Sequence, residues 1–146
     1  MIPPFNEQTG LLPPGIHEAT WAEFVARYGY TTHRLILLAG LKAGLDALRD
    51  AGCQRAYIDG SFVTAKTTPG DFDTCWEAVG VRAALLHPAL RTFANLRAAQ
   101  KAAFSGEFFP AEAVADVAGT RFIDFFQLTA GGSKKGVVAI NLGGLP

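Results

Sequence analysis

An α+β fold, a mixed β-sheet flanked by helices, is predicted from three observations. A long leucine-striped helical segment leads into a short strand. Further β-forming segments lie on either side of a second helical region, and helices and strands do not alternate in regular βαβ order. The chain has 146 residues, of which 49% are hydrophobic and 18% charged, with eleven Phe and two Trp. A chain of that size and composition builds one layered core without needing staples.

Residues 1–15 hold Pro3, Pro4, Pro13 and Pro14 with Gly10 and Gly15. Proline has no amide donor, so this segment reads as an extended arm laid over a single domain of residues 16–146. Thr20 with Glu23 forms a capping-box pattern for a helix from Trp21 to Tyr28, which Gly29 ends. A second helix runs from Thr32 to Arg49. Leu35, Leu38, Leu41, Leu45 and Leu48 form its apolar stripe, Arg34, Lys42 and Asp46 fall largely off it, and Gly52 closes it. Gly40 and Gly44 inside this helix point to a closely packed neighbour.

Strands are expected at Ala56–Asp59 and Phe72–Trp76, separated by a loop rich in Gly, Thr and Pro. Residues 88–104 read as one helix, with Pro88 in its first turn. Phe108–Pro110 reads as a loop and Ala111–Ala118 as a short helix. Arg121–Leu128 reads as a strand joined through Gly131-Gly132-Ser133 to a partner at Gly136–Leu142.

Formal net charge is zero, which argues against a strongly basic surface for non-specific nucleic-acid binding. Cys53 and Cys75 have no metal-ligand spacing with His17, His33 or His87, and both read as reduced core thiols. The start lacks the basic and apolar regions of a signal peptide. The apolar run Leu35–Leu48 is interrupted by Lys42 and Asp46, so no membrane association and a cytoplasmic location are expected.

Chemistry concentrates in one constellation. A strand ends in Gly60-Ser61, a nine-residue loop follows, Asp71-Phe72-Asp73 opens the next strand, and Asp124 stands alone in the apolar run Phe122–Phe126. In a strand Asp71 and Asp73 share one face, where two carboxylates repel unless a cation lies between them. Mg²⁺ suits such a pair because it takes carboxylate and phosphate oxygens while keeping waters. Asp124 is the candidate third ligand. Gly60 lets backbone approach a phosphate, Ser61 can donate to it, and Lys66 is the candidate triphosphate contact. Asp59 reads as a loop cap pointing away from this site. Lys134 and Lys135 read as solvated turn residues.

A strand, Gly-Ser, a loop, Asp-x-Asp and a later Asp together resemble the polymerase-β-type nucleotidyltransferase superfamily. The runs Leu12–His17, Ala19–Trp21, Asp59–Thr64, Asp71–Asp73, Arg97–Lys101, Glu107–Pro110 and Phe122–Gln127 look like an uncharacterised family of small bacterial proteins with that core. The resemblance implies a nucleotidyltransferase-like fold that binds a magnesium–nucleoside triphosphate. It suggests a role in a toxin–antitoxin or phage-defence module.

Two functions from different classes follow. One is transfer of a nucleoside monophosphate to an RNA, protein or small-molecule hydroxyl, with Asp71, Asp73 and Asp124 as catalytic and metal residues and Gly60, Ser61 and Lys66 on the nucleotide. The other is a non-catalytic nucleotide-sensing or protein-interaction module on the same fold. Its ground is the loop Phe62–Thr67, which lacks the further Gly and Arg usual in minimal members of that superfamily. The chain is short for a transferase that also recognises its acceptor, which points to a partner protein or a homo-oligomer.

Overall fold

Alternate residues of the central strands differ in where they go, and that alternation sets the layers. A computed structural model describes all of residues 1–146. Five strands form one sheet: β1 (Gly15–Ala19), β2 (Arg55–Asp59), β3 (Asp73–Trp76), β4 (Glu107–Pro110) and β5 (Gly136–Asn141). Their spatial order is β1-β5-β2-β3-β4, with β1–β5 and β3–β4 parallel and β5–β2 and β2–β3 antiparallel. This is the mixed sheet of an α+β fold.

Ala56, Ile58, Trp76, Val138 and Ile140 enter the main core. They meet α1 (Trp21–Tyr28) and α2 (Thr32–Asp50), which bury Phe24 and Tyr28 and a stripe of Leu37, Leu38, Leu41, Leu45 and Leu48. The stripe omits Leu35, which is half exposed. Thr20 and Glu23 form the reciprocal capping box at the start of α1. Gly40 and Gly44 are where α2 packs most closely: a Cβ at Gly40 would overlap the Phe104 carbonyl, and one at Gly44 the Phe108 ring. The proline-rich arm lies against this side of the molecule. Leu12 is fully in the core, and Ile2 and Phe5 pack on it.

Four expectations fail locally. Phe108–Pro110 is no loop but part of β4, with Phe108 buried against the Phe72 and Phe104 rings. Ala111–Ala118 is not helical; it is a turn segment closed by a bridge between Val114 and Arg121. Residues 88–104 are not one helix. A 3-10 turn at Pro88–Arg91 is separate from α3 (Ala94–Phe104), and Asn95, Leu96 and Arg97 in the first turn of α3 have left-handed φ of 54–60°. Arg121–Leu128 is not a strand but contains α4 (Phe122–Phe125), because Phe122 and Phe126, four apart, both turn onto Phe109.

At the outer edge β4 offers little to a further strand. The Phe108 amide donates to the Gln100 side chain at 2.8 Å, and Pro110 has no amide hydrogen. No helix is long and apolar enough to cross a membrane.

Candidate functional site

The sheet face opposite α1 and α2 carries Tyr57, Cys75, Val137 and Ala139, packed under Ala111 and Phe126. Period-two geometry puts Asp59 and Asp73 on this same face, and the β2–β3 register makes them direct cross-strand partners. Asp59 therefore points into the site, contrary to its reading as a loop cap. It is 4% exposed. Gly60 follows it with φ of 85°, a conformation glycine adopts without strain. A Cβ there would lie 2.9 Å from the Asp73 carboxylate, so the Gly-Ser turn abuts the second acid of Asp-x-Asp. Ser61 opens a 3-10 turn to Val63.

Asp71 lies before β3 begins rather than on it. Burial and the Glu107 carboxylate raise it above the ordinary carboxylate value, against Lys101. Asp73 is raised to about 7, first by burial, then by the negative charges of Asp71, Glu107 and Asp59, with Lys135 opposing. Burial also raises Asp59, and Lys135 pulls the other way. Asp73 is thus a carboxyl group whose surroundings favour either a proton or a cation.

Lys135 is not a solvated turn residue. Its Nζ donates to Asp59 Oδ2 at 3.1 Å and lies 3.0 Å from Oδ1, and its side chain is largely buried. It precedes β5 at the parity of Val137 and Ala139, and that parity is the signal that places it on the acidic face. Glu107, paired in register with Asp73, binds Arg97 Nε at 2.6 Å.

Asp124 does not join these acids. It sits on α4, its side chain is 55% exposed, and it pairs with Arg121 at 3.6 Å. No group of three His, Cys, Asp or Glu side chains converges as a metal cage. Asp124 does line a cavity of about 490 Å³ with Gln127, Lys134 and Lys135. The Lys66 side chain is exposed, and its carbonyl accepts from Arg34.

Arg34 organises the loop after Ser61. It is fully buried, and its guanidinium donates to the carbonyls of Tyr28, Phe62, Thr64, Lys66 and Thr67. It stands 4.9 Å from the Phe62 ring centre and 4.7 Å from that of Tyr30. A polar residue near the start of a leucine-striped helix gave no sign of this role. Cys53 and Cys75 are buried free thiols, as expected. His17 and His33 bind the Pro13 and Pro69 carbonyls, and His87 caps the amide of Ala89, which are structural roles.

No curated protein and no solved structure matches the chain. One family model does, over residues 3–141, and so spans the arm from Pro3 on, all five strands and every residue of the acidic face. The chain belongs to that family, a family of unknown function (DUF6932).

Proposed function

We propose that this protein binds a magnesium–nucleoside triphosphate on the acidic sheet face and transfers its nucleoside monophosphate to a hydroxyl of an RNA, a protein or a small molecule. The observation that carries this reading is the β2–β3 hairpin. It sets Gly60-Ser61 against Asp73, with Asp71 two residues earlier and Asp59 directly across.

The donor set fits magnesium. That ion is commonly held by one or two carboxylates together with substrate phosphates, so a protein cage of three is not required. Asp71 and Asp73 would hold it. When bound it would offset triphosphate charge and lower the cost of ionising Asp73. Gly60 lets the backbone turn close against the Asp73 carboxylate, and the Ser61 hydroxyl is a donor at the same turn. Lys101 and Ser105 line a second cavity with Asp71 and Gly70, which gives the triphosphate a cationic partner. Asp124 belongs to the acceptor side in this reading, where its cavity also offers Lys134.

Incorporation of radiolabelled nucleotide by the wild type and by Asp73→Asn tests the reading. Loss of at least a hundredfold is expected in the variant, and equal incorporation by both proteins refutes transfer.

A specific observation favours a second reading, that of a nucleotide sensor without turnover. The cation that reaches Asp59 is the protein's own Lys135, and no third carboxylate groups with Asp71 and Asp73 as a metal ligand. Magnesium-dependent triphosphate binding by calorimetry, with no incorporation, is the outcome that selects it. A role in a toxin–antitoxin or defence module rests on the family resemblance alone.

A further inference from the structure

An aromatic cavity lies on the same sheet face, beyond the acids. Phe93, Arg97, Phe109, Pro110, Ala113 and Phe122 line an open cavity of about 340 Å³ with almost wholly apolar walls. Phe109 stacks on Phe122 with centroids 4.2 Å apart and planes 10° apart, and Phe93 lies nearly parallel to Phe109 at 6.2 Å. Phe93 is 41% exposed, although an isolated aromatic of that size gains from burial. Arg97 stands 5.6 Å from the Phe109 ring centre; its Nε is taken by Glu107, and no protein acceptor engages its terminal nitrogens.

Two further observations tie this cavity to the acids. Glu107 is the register partner of Asp73, and Phe109 follows it by two residues on the same face of β4. Strand spacing then puts the Phe109 and Asp73 backbones about 8 Å apart, a gap that a ribose and its first phosphate can span. The backbone also holds an unfavourable geometry here. Asn95, Leu96 and Arg97 are three consecutive non-glycine residues in the left-handed region, and the last of them delivers its guanidinium to the cavity rim.

We propose that this cavity is the nucleobase pocket of the site. The base stacks against Phe93 and the edge of the Phe109–Phe122 pair, with an acceptor edge turned to the free guanidinium nitrogens of Arg97. The assignment rests on reading Asp71 and Asp73 as the magnesium and phosphate end, but its own test is separate from theirs. Adenosine and inosine, which carry no phosphate, are titrated without magnesium into the ¹⁵N-labelled full chain. Inorganic tripolyphosphate with magnesium is titrated into a second sample.

At least one nucleoside at millimolar concentration is expected to shift the amides of Arg97, Phe109 and Ala113. Phe93→Ala is expected to weaken that binding roughly tenfold, while Phe93→Trp preserves it. Phe93 is partly exposed, and the amide spectrum of each variant shows whether it is folded. Neither variant should alter tripolyphosphate binding. If neither nucleoside shifts those amides in the wild type, or if Phe93→Ala binds as the wild type does, the pocket is refuted whatever tripolyphosphate does. If a nucleoside binds there while tripolyphosphate with magnesium does not, the pocket stands and the reading of Asp71 and Asp73 falls.

Discussion

One face of the sheet belongs to a cluster of 25 buried apolar residues, whereas the opposite face buries a cluster of six beside Asp59, Asp73 and Lys135. The same strands build both. Ile58 and Asp59 are neighbours in sequence and face opposite ways, as do Phe72 and Asp73. Apolar burial on the first face supplies the free energy that holds carboxylates together on the second, where charge repulsion and desolvation work against folding. Stability and candidate chemistry are therefore divided by strand parity, and substitutions on the two faces should differ in sign.

The largest effect is expected on the well-packed side. Arg34→Met removes the donors of four loop carbonyls and of the Tyr28 carbonyl that ends α1, from a side chain that is itself fully buried. A loss of about 3–5 kcal/mol is expected, measured by urea denaturation, together with protease sensitivity between Phe62 and Pro69. Wild-type stability in that variant would show that the carbonyls find other donors.

Gly44→Ala comes next. Alanine favours a helix more than glycine does, so propensity alone predicts a gain of about 1 kcal/mol. The Phe108 ring fills the space a Cβ needs, and overpacking is expected to reverse the sign to a net loss of about 1–2 kcal/mol. A raised midpoint of denaturation would mean that β4 can shift away from α2.

On the acidic face a substitution should stabilise. The folded state holds Asp73 near 7, well above an unfolded carboxyl. At pH values below the unfolded carboxyl range both states are protonated, and Asp73→Asn should be nearly neutral. As pH rises towards 7 the unfolded chain releases a proton that the folded chain keeps, so wild-type stability falls across that window and levels off above it. Metal-free Asp73→Asn is therefore expected to be about 1–2 kcal/mol more stable than the wild type at pH 8, after discounting for partial exposure. Thermal melts at pH 4 and pH 8 check the sign. A variant less stable at pH 8 would mean that Asp73 is held by favourable contacts instead of being crowded by charge.

Local signals sufficed where the residues themselves decide the outcome. The capping box fixed the bounds of α1, leucine spacing found α2, and two helical glycines announced the close approach of Phe104 and Phe108. The approach of Gly60 to Asp73 was legible because it depends only on adjacent strands and their parity, which does not reach Asp71, outside β3. Two of the failures depend on distant partners. Phe108–Pro110 becomes a strand only because β3 lies beside it, and Phe122–Phe126 coils because Phe109 draws two rings four residues apart to one side. Asp59 and Lys135 lie 76 residues apart, and only the sheet order, with β5 next to β2, brings them together. Asp124 was assigned to the acids on the premise of a strand there; as part of a helix it faces another cavity.

The outer margin of β4 has a consequence for assembly. Edge-to-edge growth, the route by which many sheets recruit a foreign peptide or a second copy of themselves, is closed at that margin by one glutamine amide and one proline ring. The aromatic cavity beside it can thus stay open to small molecules without the adjoining strand seeding a fibril.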